Sequence, residues 1–397
     1  MKDTKNSISP RDRVNTALNH KTPDRTPVDF LAVPEIWNSL IQSESLLPRN
    51  DIKTQFFDPL WEVLLQKFQV DCRVISYDQF CNPPSSILKP QAKIDWYGSL
   101  GRSTPNRMWR QITPDGQIYD IFGRHFTIVD HPTGSYEELA SYPLGNAESI
   151  SDLKAFLWPE PDWWDFSGVS DLIAQLDLHR ECHLRYRIGS VFEVAWQLRA
   201  LDTFLLDMAK NAEIPHYIME RLTDIYVEIT DRFLSTAGTR IDMVYFYDDV
   251  ATQNSLMISK KMWEQYIKPH HARIIEVAKN HNKKVMYHCD GSLYPLIPDL
   301  IEMGIDVLNP IQVDAKDMDP IKLKTEFGDR ISFHGGVDII KTLPFGTPND
   351  VQNEVKTRIN QLGKNGGYVL ASSHHIQSDT PLENVKAMYD PTIRYVQ

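Results

Sequence analysis

Residues 283–312 read KKVMYHCDGSLYPLIPDLIEMGIDVLNPIQ. Val285, Met286 and Tyr287 form a short apolar run after a basic turn, the pattern of a buried strand. His288, Cys289, Asp290, Gly291 and Ser292 follow as a cluster of possible ligands, acids and bases closed by a glycine. Residues 295–303 carry apolar side chains at helical spacing, and Gly304 stands where a helix stops. Residues 305–309, IDVLN, form a second strand. Strand, helix and strand with short joins make a βαβ unit, so the two strands are expected to run parallel. The chemistry-capable residues lie just past the end of the first strand, where α/β sheets and barrels place their sites.

The same alternation extends outward. Residues 26–30 (TPVDF), 71–76 (DCRVIS), 183–189 (HLRYRIG), 242–247 (DMVYFY), 285–287, 305–309, 331–334 and 367–371 are eight strand candidates. Helical patterns cover 10–19, with Ser9 as N-cap and Pro10 in the first turn. They recur at 34–42, 58–68, 172–178, 193–210, 215–237, 259–280, 349–362 and from 381. Eight strands separated mostly by helices is the count of a (β/α)8 TIM-type barrel, with a doubly wound open sheet as the alternative. No GxGxxG follows the first strand, which weakens a nucleotide-binding reading. The pattern changes over 83–132. Short β runs at 108–112, 117–121 and 124–129 are separated by the turn pairs Asp115-Gly116 and Phe122-Gly123. Residues 137–158 contain a polar, helix-prone linker. The reading is one barrel domain over 1–397 with 83–132 as a β-rich insertion.

Composition narrows the class. The chain has 397 residues, 42% hydrophobic and 24% charged, which suits a soluble globular protein with a large core. A net charge of −11 with no basic patch argues against a nucleic-acid surface. Cys72, Cys81, Cys182 and Cys289 are scattered without a CxxC, so reduced thiols and a cytoplasmic location are expected. The start, MKDTKNSISPRDR, lacks the apolar core of a secretory signal. No run of about 18 apolar residues suggests a membrane span.

On a barrel the strand ends share one rim. Asp78, Ser190, Asp248, Asp249, His288, Asp290, Asn309, Gln312, His334, His374 and His375 then converge. Several histidines and carboxylates together can bind a divalent metal or run acid–base chemistry. Blander roles exist for each. A histidine near an aspartate is often a surface or capping pair, and Asp248 or Asp249 can cap a helix. His374 and His375 are neighbours, so one faces the site and the other turns away. Cys289 is more often a small buried residue than a nucleophile. Gly335 and Gly336 serve a tight turn or a close backbone approach to a ligand.

Three stretches carry a resemblance: 245–259 (YFYDDVATQNSLMIS), 287–312, and 334–381 (HGGVDIIKTLPFGT…GGYVLASSHHIQSDTP). Together they resemble the uroporphyrinogen decarboxylase superfamily, over most of the chain. The resemblance implies a (β/α)8 barrel and one of two activities. One is cofactor-free decarboxylation of uroporphyrinogen. The other is zinc-dependent methyl transfer between corrinoid proteins and thiols or other methyl carriers. For decarboxylation, Asp78 matches the catalytic aspartate and His374 the histidine after the eighth strand. The arginine-bearing loop is missing, since 26–48 contains no arginine. The family's tyrosine and serine fall at Gln197 and Asp249. A substrate with many carboxylates needs cationic partners, so uroporphyrinogen is not the expected substrate.

For methyl transfer, the zinc ligands of the family fall at His288, Asp290 and His374. A His, Asp, His set suits zinc or another divalent metal. The expectation is metal-dependent methyl transfer with a corrinoid protein as partner. His288, Asp290 and His374 are the expected ligands. Asp78, Asp249 and His374 are the expected catalytic groups. Ser190, Gln197, Asp248, Asn309, Gln312, His334 and His375 are expected around a small-molecule substrate. Two alternatives stand beside it: decarboxylation of a smaller carboxylated substrate through Asp78 and His374, and a non-catalytic barrel binding a small ligand or a corrinoid protein.

Overall fold

The computed structural model describes residues 8–47, 59–96, 109–131, 134–177, 181–210 and 213–395. The expected tail over 1–7, the helix ends at 58 and 178, residue 48 of the arginine-free stretch, and 97–108 and 132 of the insertion lie outside these residues.

The first parallel strand is β1, Cys72–Ser76. Five antiparallel strands come next: β2 (Lys93–Trp96), β3 (Trp109–Ile112), β4 (Ile118–Tyr119), β5 (His125–His131) and β6 (Gly134–Ser141). The parallel series resumes with β7 (His183–Arg187), β8 (Met243–Tyr247), β9 (Lys284–His288), β10 (Val307–Ile311), β11 (Ser332–Val337) and β12 (Tyr368–Ser372). They pair in the order β1-β7-β8-β9-β10-β11-β12, every neighbour parallel. The antiparallel insertion reaches Ser141 rather than stopping at 132, so β6 takes up the start of the expected linker; the helix of that linker is Ile150–Ala155.

The expected closed ring of eight strands is corrected to a curled sheet of seven. Residues 26–30 do not form a strand. Val28 makes a single parallel bridge to Leu370, and its carbonyl accepts from the Asp71 N–H at 2.9 Å. Two features of the sequence prevent a ladder here. Pro27 has no N–H to donate, and Asp29 places a buried carboxylate inside the curl, where it pairs with Arg185. The segment therefore spans the gap between β12 and β1 with isolated hydrogen bonds.

Two expected helices are each broken in two. Residues 193–210 divide into Phe192–Arg199 and Leu201–Lys210 around Ala200, whose φ is +76°. The 259–280 helix divides at Ile267, ahead of Pro269, whose ring removes an amide donor. The helix Ile297–Met303 stops at Gly304 in the left-handed region (φ +99°), as the sequence indicated. Among the described residues no helix is long and apolar enough to cross a membrane.

Apolar faces of the helices bury against the outside of the curl. Inside it, Cys72, Met243, Met286, Val307 and Val369 form an apolar floor, closed from below by Val14 and Leu18 of the N-terminal helix Pro10–Leu18. Burial of those two side chains contributes about 1.5–3 kcal/mol each. Asp71 fastens this base. It is fully buried and accepts from Arg13 Nη1 (2.7 Å), from Arg25 Nη1 and Nη2 (2.8 and 2.9 Å) and from the Val28 N–H (2.9 Å). One carboxylate thus ties the N-terminal helix, the bridging segment and β1 together.

Asp71→Asn removes the counter-charge of buried Arg25 and one of the two carboxylates on Arg13, which keeps Asp24. We expect it to lower unfolding stability by about 3–5 kcal/mol, read from urea denaturation. A loss under ~1 kcal/mol, the scale of an exposed pair, would refute this role.

Candidate active site at the open end of the curled sheet

Three of the expected residues, His288, Asp290 and His374, come together past the strand ends. His288 is the last residue of β9 and pairs in register with Tyr247 of β8 and Asn309 of β10. Asp290 lies two residues further on, and His374 two residues past β12. One donor atom from each of His288, Asp290 and His374 lies within 4.8 Å of the others. Asp290 stands between the two rings: His288 Nε2 is 3.9 Å from its Oδ1 and His374 Nε2 is 3.4 Å from its Oδ2. Side-chain exposure rises from 14% at His288 through 29% at Asp290 to 35% at His374. The group therefore opens toward solvent on the His374 side.

The turn after β9 is shaped for this placement. Gly291 has φ +88°, and a Cβ there would meet the Thr252 carbonyl oxygen at 2.4 Å. Its N–H donates to Gln312 Oε1 at 2.8 Å, and the Asp290 N–H donates to Asp249 Oδ1 at 2.9 Å. Gln312 and Asp249 thus hold the loop that carries Asp290. Cys289 points the other way: it is buried, receives the Val250 N–H at 3.3 Å, and burial pushes its thiol pKa well up. It is not a ligand in this arrangement.

The donor set fits a divalent ion. Asp290 Oδ1 is buried without a hydrogen-bond partner among the described residues. His288 Nδ1 is bonded to Asn309 Oδ1 at 2.6 Å, which leaves Nε2 for a ligand. Burial lowers the His374 pKa, favouring the neutral imidazole that metals bind. Metal bonds of about 2.0–2.2 Å require donors roughly 3–4 Å apart, so the three side chains must draw in by a small rotation. Three protein ligands and an exposed fourth side is the pattern of a catalytic metal site rather than a structural one.

The remaining expected residues divide into groups. Asn309 and His334 lie directly beneath His288: Asn309 Nδ2 is 2.5 Å from His334 Nδ1, and His334 Nε2 is 3.0 Å from Asp29 Oδ2. Asp248 is fully buried. It accepts from the Ser190 hydroxyl, from the N–H groups of Val191 (3.2 Å), Phe192 (2.9 Å) and Glu193 (2.8 Å), and from His271 (2.8 Å). It and Ser190 cap the helix Phe192–Arg199, the blander role weighed for Asp248. Gln197 donates to Glu193 Oε1 at 3.0 Å and accepts from Arg124 of the insertion. His375 packs edge-on to His374 with ring centroids 4.8 Å apart, and burial pushes its pKa well below the usual range. Asp249 has its pKa raised by burial, partly offset by the nearby His288. Asp78 lies apart from the three candidate ligands. Burial raises its pKa too, and its strongest charged neighbours are Arg187, Arg110 and Asp120.

Four polar residues near the candidate site escaped the sequence reading. Arg185 and Arg187 of β7 both point into the curl, Arg187 donating to Ser76 Oγ at 3.1 Å. Their i, i+2 spacing on HLRYR was a legible sign, because alternate strand residues share a face. Asp29 was legible in the same way within TPVDF. Glu193 was not, since a glutamate early in a helix ordinarily faces solvent. Here burial, then Asp249 and Asp248, push its pKa up to about 8.

That shift has a sign. A neutral Glu193 means the folded chain holds a proton that the unfolded chain releases above the ordinary value of 4.5. The contribution is complete below 4.5 and is lost as pH rises to about 8. We expect Glu193→Gln to flatten the fall of the urea midpoint between those two pH values and to be more stable than wild type above them. Identical pH profiles would show that Glu193 ionises normally.

The comparisons with known proteins bear on this geometry. The family model described as Uroporphyrinogen decarboxylase (URO-D) matches residues 146–395, well over half of the chain. The chain belongs to that family. It is 25% identical over 197 residues to the methylated-thiol–coenzyme M methyltransferase of Methanosarcina mazei, covering 49% of each chain. It is 33% identical over 73 residues to the uroporphyrinogen decarboxylase of Psychromonas ingrahamii, covering 18% of this chain and 20% of that one. The matches thus span about half and a fifth of these curated relatives. A solved structure described as a methyltransferase from Methanosarcina mazei aligns over 98% of both chains with a TM-score of 0.58 and 18% identity, which shows the shared fold.

Proposed function

We propose that this chain is a metal-dependent methyl-transfer enzyme that works with a corrinoid carried by a partner protein, and that His288, Asp290 and His374 hold the metal. The observation that carries the reading is the convergence of those three side chains at one solvent-facing point. The similarity to a methyltransferase whose name includes a methylated thiol supports it. On this reading residues 1–397 act as one unit, the curled sheet with its antiparallel insertion.

A divalent ion held here supplies Lewis acidity, lowering the pKa of a thiol or water at its open side. Two neutral imidazoles and one carboxylate bring a single negative charge, so a zinc site of this kind keeps a net positive charge. It attracts an anionic ligand more strongly than a set rich in thiolates. The rest is done by the chain's own groups. Asp249 holds the Asp290 loop and stands 4.0 Å from His288 Nε2, close enough to accept a proton from a substrate seated there. Asp78 and Glu193 have raised pKa values, the former through burial and the latter through burial and nearby carboxylates, and can serve as acids. Arg187 offers a cation to an anionic substrate group.

Zinc-loaded wild type should contain about one ion per chain, and His288→Ala and His374→Ala far less, by elemental analysis after dialysis. Loss of a three-residue set is expected at single substitutions because no other ligand replaces the missing bond. No ion in wild type, or equal metal in all three proteins, overturns the assignment. With the metal established, loss of methyl groups from methylcobalamin in the presence of a thiol is the activity to measure.

Uroporphyrinogen decarboxylation is disfavoured by the lack of arginine in the bridging segment. Arg25, just before it, is committed to Asp71 at the floor. Uroporphyrinogen should therefore remain unchanged in an anaerobic assay, and turnover would contradict this.

A further inference from the structure

Of the two arginines that β7 sends into the curl, one has a carboxylate and the other does not. Arg185 is paired with Asp29. Arg187, the last residue of β7 and only partly buried, donates instead to a hydroxyl, Ser76 Oγ, from Nε at 3.3 Å and from Nη2 at 3.1 Å. Among the described residues it forms no ion pair, and its Nη1 meets no acceptor. Asp78 has Arg187 as its strongest charged neighbour without reaching ion-pair contact. A guanidinium carries five N–H donors in a fixed fork. Withdrawing such a group from bulk water without a counter-charge is costly, and an anion that reaches it removes that cost.

A second donor stands beside it. Arg187 pairs in register with Tyr245 of β8, whose side chain rests on the apolar floor. The Tyr245 ring is turned edge-on to His288, with centroids 6.3 Å apart. Register also sets the depth. His288 pairs with Tyr247, two residues beyond Tyr245 on the same strand. At roughly 3.3 Å per residue, the Arg187–Tyr245 pair lies about 7 Å nearer the floor than His288 does.

We propose that Arg187 and Tyr245 form an anion subsite beneath the candidate ligands, and that the substrate is a short acid whose anionic end seats on the Arg187 guanidinium and the Tyr245 hydroxyl while its reacting end faces His288, Asp290 and His374. The shared chemistry is a carboxylate or a sulfonate, either of which accepts from the guanidinium fork and from a phenol O–H. The depth step selects for length. An acid the size of 4-mercaptobutyrate spans it, and the apolar floor stops a longer one from seating deeper. Arg187 is thus a specificity-determining residue, because a neutral analogue of the same length leaves its charge unanswered. The subsite rests on the methyl-transfer reading only for which end of the acid reacts.

The first test uses full-length metal-free protein and butyrate, a probe without a thiol, followed by saturation-transfer proton NMR. Butyrate should bind saturably and resist displacement by 1-butanol. Arg187→Met should weaken it about 10- to 100-fold, the scale of hydrogen bonds to a charged group. Arg187→Lys keeps the charge without the fork and should lose less. Tyr245→Phe removes the hydroxyl alone and should also weaken binding. Urea midpoints check that each variant is folded. The second test uses zinc-loaded protein with methylcobalamin. The ratio of kcat/KM for 4-mercaptobutyrate to that for 4-mercaptobutan-1-ol should favour the acid in wild type and fall about 10- to 100-fold in Arg187→Met. 4-Mercaptobutane-1-sulfonate run in parallel shows which of the two acids is preferred. No saturable butyrate binding to wild type, or equal binding to Arg187→Met, overturns the subsite. So does the same acid preference in both proteins. Butyrate binding that depends on Arg187, in a chain that takes up no metal, supports the subsite and overturns the metal reading alone.

Discussion

The ion pair between Asp29 and Arg185 is the constraint around which the interior is arranged. Two charges placed inside a curled sheet cost several kcal/mol each in lost hydration, and their attraction repays this only when every other lone pair and N–H is also satisfied. Here the carboxylate accepts from Arg185, His334 and the Phe30 N–H at 2.9 Å, while Arg185 also donates to Cys72 Sγ at 2.8 Å. Arg185 holds the Asp29 carboxylate well below the usual range against the opposing effect of burial. A pair so enclosed does not add much stability by itself. What it does is specify. It brings the bridging segment, β7 and β11 to one point.

Pro27, two residues before Asp29, bears on why the sheet is not a continuous ring. A strand at 26–30 would form ladders with β12 and β1 on both edges. Pro27 removes one donor from that ladder. Backbone pairing is reduced to the bonds around Val28 and Asp29, and side chains take over the work of closure: Asp29 inside, Asp71 at the base, and the Tyr389 hydroxyl on the Asp29 carbonyl at 2.8 Å. The apolar floor and the polar groups adjoin. Cys72, Met243, Met286, Val307 and Val369 fill the lower interior, with Arg185 in register with Met243 and His334 with Val369, while Asn309 stands two residues past Val307.

Much of this was legible in the sequence, because it rests on local periodicity. The parallel strands and the stop at Gly304 follow from strand and helix periodicity and from glycine positions, whereas His288, Asp290 and His374 were singled out as a set by the resemblance to the family. Missing were the features set by long-range contacts. TPVDF has the composition of a strand, but its pairing is decided by Arg185, 156 residues away. Residues 193–210 read as one helix, since nothing local to Ala200 demands a positive φ. Asp248 looked like a ligand-binding carboxylate; the capped helix and His271 that occupy it come from elsewhere in the fold. Sequence pattern assigns residues to faces and ends, whereas the partners that occupy a polar group are a tertiary matter.

The character of the candidate ligand set follows from this interior. A thiolate at the position of Asp290 would need a neighbour to stabilise its charge, and the available cysteine, Cys289, faces a buried pocket behind β9 where its thiol is held protonated. Asp290 is instead held through its backbone N–H on Asp249 Oδ1, and burial lowers the pKa of His374 beside it. The set is therefore oxygen- and nitrogen-based, with Asp249 beside it and two further buried carboxylates, Glu193 and Asp78, in the interior. Of these three carboxylates, Glu193 has its pKa pushed up to about 8 and the other two are raised above the ordinary range. Burial is the largest cause in each case, and at Glu193 the neighbouring Asp249 and Asp248 add to it.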